Sequence, residues 1–228
     1  MKKLMIVGNW KSNKTVGEAE EWLDKIRNSK FEIRNSMEIV LCAPFTLLPL
    51  LAIKLQSYKA TKLKLGAQDV SAFPDGAYTG EISSRMLKDL GVEYVMIGHS
   101  ERRKYFQEDD QMLANKVKEA LDVGLIPIYC VRGKTTPVPD GVKILLYEPQ
   151  AAIGTGQAGS PEEADQIGKS LREILGKDVM ILYGGSVTSD NVLDFCRQEN
   201  LDGVGIGGAS LDAEKFLWIL NQVQDDNK

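Results

Sequence analysis

The chain has 228 residues, 43% of them hydrophobic, and a formal net charge of −4, enough apolar content for one large domain or two small ones. No basic stripe is present, so neither a nucleic acid nor a membrane surface is expected as a partner. Three scattered cysteines and one histidine, His99, give neither a disulfide framework nor a zinc-ligand set. A reducing, cytoplasmic setting is expected, with no metal and no cofactor.

The first apolar run, Leu4–Gly8, follows two lysines. It is shorter than the roughly 7–15 residues of a secretory core and reads as a buried strand. Val16–Asn28 follows Thr15 and sets Ala19, Trp22, Leu23 and Ile26 on one helical face. Apolar runs recur at Glu38–Pro44, Leu63–Ala67, Tyr94–Gly98, Ile126–Val131, Lys143–Pro149, Val179–Gly185 and Asp202–Gly208. None alternates apolar with polar residues, which suits strands buried on both faces of a parallel sheet. Pro161–Leu175 begins after Ser160, with Pro at the first helical position and acids in the first turn. Asp190–Gln198 and Ala213–Gln222 carry similar helical patterns. No stretch approaches the ~20 apolar residues needed to span a bilayer.

Eight strands interleaved with helices over a chain of this size predict an α/β fold, a closed (β/α)8 barrel forming one domain over residues 1–228. An open doubly wound sheet is the alternative. One crossover breaks the pattern. Arg132–Lys143 holds Pro137, Pro139, Gly133 and Gly141, which exclude a useful helix. Twelve extended residues still reach about 40 Å, enough to return along the barrel wall. Seven or fewer barrel helices are therefore expected, with a bare patch between the fifth and sixth strands. Ala67–Ser83 is a long loop for a compact domain.

In a parallel barrel, chemistry sits at the C-terminal ends of the strands. Those ends carry Asn9 and Lys11 after the first strand, His99 and Glu101 after the fourth, and Glu148 after the sixth. Three glycine-rich turns, IGTG, YGGS and GIGG, share the same mouth. Such turns let backbone amides wrap an anion, and Gly154, Ser186, Gly207 and Gly208 are the candidate phosphate donors. A carboxylate, a lysine and the lone histidine thus share one mouth with a candidate phosphate site, which separates a functional reading from eight ordinary loops.

The stretches GNWK (Gly8–Lys11), GAYTGE (Gly76–Glu81), GHSERR (Gly98–Arg103), YEP (Tyr147–Pro149), AIGTG (Ala152–Gly156), YGGSV (Tyr183–Val187) and GGASL (Gly207–Leu211) resemble those of the triosephosphate isomerase family. The resemblance runs from Val7 to Leu211. It implies interconversion of dihydroxyacetone phosphate and glyceraldehyde 3-phosphate, in glycolysis and gluconeogenesis. Glu148 would be the base and a neutral His99 would polarise the carbonyl oxygens. Lys11 and Asn9 would hold the developing charge, with Glu101 pairing to Lys11. The resemblance also implies a closing lid over Pro149–Gln157, including Ile153, Thr155 and Gly156. It further implies a homodimer, or a higher homo-oligomer, in which Thr79 touches the neighbouring subunit's active site.

The sequence departs from the family pattern in places. Gln150 and Ala151 stand where Val-Trp is usual, and Gln157 replaces a Lys. Ser12 follows GNWK, and Cys130-Val131-Arg132-Gly133 lacks the usual Glu. Gly205 replaces a Leu that covers the catalytic carboxylate together with the lid Ile. Glu148 is therefore expected to be wetter when the lid closes, and Gly205→Leu is expected to raise kcat. The alternatives to this isomerase are an isomerase of another phosphorylated sugar and a non-catalytic sugar-phosphate-binding barrel.

Overall fold

The apolar runs form strands because each is buried on both sides, by the barrel interior and by outer helices. The computed structural model describes residues 2–29, 31–32, 37–57, 62–149 and 158–226. Its strands are β1 (Leu4–Asn9), β2 (Met37–Ala43), β3 (Leu63–Ala67), β4 (Tyr94–Ile97), β5 (Ile126–Val131), β6 (Ile144–Tyr147), β7 (Met180–Tyr183) and β8 (Gly203–Ile206). They pair in chain order, all parallel, and close through β1 and β8 in the register Met5↔Gly203 to Gly8↔Ile206. The closed barrel is thus the outcome, and the open sheet is excluded.

The helices are α1 (Val16–Asn28), α2 (Leu48–Ser57), α3 (Ser84–Asp89), α4 (Ser100–Tyr105), α5 (Asp110–Asp122), α6 (Pro161–Leu175), α7 (Val192–Cys196) and α8 (Ala213–Asp226). α1 starts with a capping box: the Thr15 hydroxyl accepts from the Glu18 amide, and the Glu18 carboxylate accepts from the Thr15 amide. α6 starts at Ser160, whose hydroxyl accepts from the Glu163 amide. α7 is shorter than the sequence suggests, and α8 runs further.

Two apolar layers result. The outer one joins strands to helices. The inner one fills the barrel with Met5, Val7, Val40, Met96, Ile128, Leu146 and their neighbours. β8 adds no bulk to that interior, because its inward positions are Gly203 and Gly205. Gly203 has φ 147°, and a Cβ there would lie 1.8 Å from the Met5 carbonyl oxygen.

Among the described residues, the β5–β6 crossover carries no helix. The expected bare patch, however, is not bare. Val142 is buried, Val138 packs on the core, and the Tyr129 ring beneath them is fully buried. The Tyr129 hydroxyl donates to the Pro137 carbonyl at 3.2 Å, and the Arg103 guanidinium reaches that hydroxyl at 3.2 Å. The irregular chain covers the wall itself, because two valines and a tethered turn bury what a helix face otherwise would. Among the described residues, no helix is long and apolar enough to cross a membrane.

Candidate active site

Strand ends place the candidate residues around one cavity of about 280 Å³, lined by Asn9, Lys11, Met96, His99, Leu146, Glu148, Gly184, Ser186, Gly205, Gly207 and Gly208 among others. Each arrives for a local reason. Lys11 lies just past β1 with φ 52°, the left-handed region, which costs a non-glycine residue about 1–3 kcal/mol. Two bonds hold it there. The Lys11 amide donates to Asn9 Oδ1 at 2.9 Å, and Gln68 Nε2 donates to the Lys11 carbonyl at 2.9 Å. Asn9 Nδ2 rests on Met96 Sδ at 3.4 Å. Lys11 Nζ lies 2.6 Å from Glu101 Oε1, with both side chains 38% exposed, so the pair orients more than it stabilises.

His99 caps α4. Its Nδ1 accepts from the Glu101 amide at 3.3 Å, whereas Glu101 Oε2 stands 3.6 Å away, beyond hydrogen-bond range. An acceptor Nδ1 leaves the ring proton on Nε2, so the imidazole is neutral and Nε2 is the donor toward the cavity. Its partner is Glu148 Oε1, at 3.0 Å. Glu148 is 3% exposed. Its Oε2 accepts from the Ser100 amide at 3.0 Å, and the Ser100 hydroxyl stands 3.4 Å from Oε1. Ser100 was not singled out from sequence, although it sits beside His99 within GHSERR. Beneath the carboxylate, burial and then the charge of Glu148 push the Cys130 thiol well above its usual range.

The helix carrying His99 and Glu101 is anchored from behind. Arg102 pairs with Asp69 at 2.8 Å and with Glu108 at 2.6 Å. Lys116 of α5 grips the same two carboxylates at 2.6 and 2.5 Å. All but Arg102 are buried, so removing one partner would strand the others at a cost of several kcal/mol.

The rim opposite His99 is built by the turns after β7 and β8. Ser186 has φ 49°, and Asn191 secures that turn by donating from Nδ2 to the Ser186 carbonyl at 3.2 Å. Gly207 and Gly208 lead into a 3-10 turn, Gly208–Leu211. The Ser210 carbonyl of that turn accepts from both buried indoles, Trp10 Nε1 at 3.1 Å and Trp22 Nε1 at 3.0 Å. The rim is therefore tied to β1 and α1 through rings that bury their apolar bodies and spend their N–H groups on it.

Of the residues expected to form a lid, Pro149 is described; residues 150–157, which include Gln150, Ala151, Ile153, Gly154, Thr155, Gly156 and Gln157, lie outside the described residues. Just beyond them, the Gly159 amide donates to the Tyr183 hydroxyl at 2.7 Å. Thr79 is exposed and away from this cavity, near a Phe73–Tyr78 ring stack with centroids 4.5 Å apart.

The space beside Gly205, where a Leu was expected to be missed, is occupied. A Cβ at Gly205 would meet Leu146 Cδ1 at 2.8 Å. The side chain missing from β8 is replaced by one reaching across from β6, so the physical ground for a gain from Gly205→Leu is removed.

The chain matches the family model described as triosephosphate isomerase over residues 4–141 and 141–223. The two matched stretches meet inside the helix-free crossover. Curated relatives carry the same description. The protein of Alkaliphilus metalliredigens is 40% identical over 97% of this chain and 100% of its own length. That of Alkaliphilus oremlandii is 41% identical over 97% and 100%. That of Thermus thermophilus is 37% identical over 96% and 98%.

Proposed function

This chain belongs to the triosephosphate isomerase family, and from that premise we propose that Glu148, His99, Lys11 and Asn9 carry out the interconversion of dihydroxyacetone phosphate and D-glyceraldehyde 3-phosphate. The observation that carries this assignment is the 3.0 Å contact between Glu148 and the donor nitrogen of a neutral His99 inside a cavity that Lys11 also lines. A substrate placed between them brings two oxygens that compete for the His99 Nε2 proton. Glu148 then gives up that hydrogen bond and turns to the carbon. It takes a proton from C1, an enediolate forms, and the same carboxylic acid returns the proton to C2. His99 moves protons between the two oxygens. Lys11 and Asn9 face the charge that develops there.

Ser186, Gly207 and Gly208 would hold the phosphate on the far rim, joined by Gly154 when the lid closes. Glu101 orients Lys11. No metal or cofactor enters this scheme. Residues 1–228 are read as one barrel domain.

We also infer a homodimer. The stacked Phe73 and Tyr78 rings are 42% and 41% exposed at the end of a long loop that also carries Thr79, an apolar tip suited to burial in a second copy. Three free, buried cysteines are in keeping with the reducing cytoplasm, where glycolysis and gluconeogenesis run.

The test is a coupled assay of glyceraldehyde 3-phosphate isomerisation with Glu148→Gln as control. A loss of about 10²–10⁴-fold in kcat is expected, the range for removing a general base. A control as active as the parent protein would remove Glu148 from the role.

A further inference from the structure

We infer that Leu146 is a positioning residue for Glu148, and that Leu146 and Gly205 act as one interlocked pair. This rests on the isomerase assignment above. Leu146 and Glu148 are two residues apart at the end of β6, so both face the barrel interior. Both are 3% exposed, and both line the cavity. Between β6 and β8 stands β7, whose inward position at this level is Gly184. A Cβ on Gly184 would meet Leu146 Cγ and Cδ1 at 3.0 Å and Glu148 Cγ at 3.4 Å. The leucine and the stem of the glutamate therefore converge on the same point. A Cβ on Gly205 would meet Leu146 Cδ1 at 2.8 Å and Cδ2 at 3.4 Å.

One branched side chain thus occupies the space of two missing ones. Glycines at 184 and 205 let it lean across β7 to β8, under the carboxylate. Without it, no side chain at 184 or 205 would flank the glutamate stem, opening that part of the floor to water and leaving the stem free to change rotamer. An apolar floor excludes water from the base and limits where its stem can go, which affects the chemical step more than substrate capture. The phosphate end is gripped elsewhere, by the turns after β7 and β8.

The bulk should be movable from one strand to the other. Leu146→Ala is expected to lower kcat about tenfold or more while KM changes less than about threefold, the pattern of a loss confined to the chemical step. Gly205→Leu alone also lowers kcat, because its side chain collides with Leu146. The double variant Leu146→Ala/Gly205→Leu regains at least about tenfold over the product of the two single losses, a non-additivity that only residues sharing one space produce. Leu146→Met, of nearly equal volume, keeps kcat near the parent value and shows that bulk at this point is what matters. Melting curves restrict the comparison to variants that fold. Parent activity abolished by Glu148→Gln establishes the assignment on its own. Given that, unchanged kcat in a folded Leu146→Ala protein overturns this inference alone, as does a double variant whose losses simply multiply.

Discussion

At the N-terminal end of the barrel, Glu38 is closed in by Lys3 at 2.6 Å and by the Tyr94 hydroxyl. At the C-terminal end, Glu148 meets His99 and Ser100 and borders a cavity of about 280 Å³. Both carboxylates sit near the rim of the same interior, two residues or fewer from a strand end. The difference lies in what surrounds them. Glu38 is held by the Lys3 ammonium and the Tyr94 hydroxyl, and it does not line the cavity at the other end. Burial pushes its carboxyl up, yet the bonds from Lys3 and Tyr94 outweigh burial and hold it below the usual carboxylate range. Glu148 borders the cavity with Gly184 and the Leu146 side chain beside it, and its partners are donors that a substrate oxygen can take over. On the proposed reading, exchangeable partners and an adjoining cavity fit Glu148 for chemistry, whereas the partners of Glu38 hold it in place.

The sharpest way to break this comparison is at the mouth. Lys11→Met is expected to lower kcat/KM by about 10²–10³-fold, the range for losing one transition-state charge partner. Its melting temperature should hardly move, because the pair with Glu101 is half solvated. A smaller effect is expected for Tyr183→Phe, which deletes one neutral hydrogen bond to Gly159. A bond of about 1 kcal/mol corresponds to roughly a fivefold drop in kcat/KM, measured in the same assay.

Glu38→Gln should reverse the pattern. Activity stays within about twofold, while unfolding free energy near neutral pH falls by about 1.5–3 kcal/mol, the range for a hydrogen bond to a charged group. The sign with pH follows from the lowered carboxyl. Its stabilisation is complete above the unfolded value of 4.5 and is lost as pH falls through the lower folded value. The parent should therefore lose its advantage over the variant in urea melts below that pH. A Glu38→Gln protein with full stability and poor activity would erase the distinction between the two ends.

The smallest effect concerns thiols. Burial pushes Cys42 and Cys196 up to about 12. Native protein at pH 8 should resist alkylation at Cys42, Cys130 and Cys196, and all three should react in denaturant. Above pH 9 the unfolded chain sheds thiol protons that the native state keeps, so stability declines as pH rises from 9 toward about 12. Urea melts across that interval measure the decline.

The barrel and most of its site were legible because their signals are local. Unbroken apolar runs marked the strands, and His99, Glu148 and Lys11 each lie within two residues of a strand end, so knowing the strands placed the site. The prolines and glycines of the β5–β6 crossover likewise announced the missing helix. What the sequence did not reveal depends on partners far away in the chain. That Val142 and Tyr129 would seal the wall requires knowing what the irregular segment lies on. That Leu146 would fill the space at Gly205 requires the stagger of three neighbouring strands, which no local pattern encodes. Gly205 read as a loss because the compensating side chain stands 59 residues earlier. Ser100 went unnoticed for a different reason: a serine at the start of a helix already has an ordinary role, and its bond to Glu148 shows only in three dimensions.

His99 is the only imidazole in the chain. Uniform ¹⁵N labelling therefore gives a single pair of imidazole-nitrogen resonances for the whole protein, and that pair reports from the site. The proton on Nε2 and the acceptor Nδ1 predict two widely separated chemical shifts, one of each type. Adding a phosphorylated enediolate mimic should move the Nε2 signal most, as its partner changes from Glu148 to ligand oxygen. The candidate ring can thus be followed through binding by a spectrum that needs no assignment.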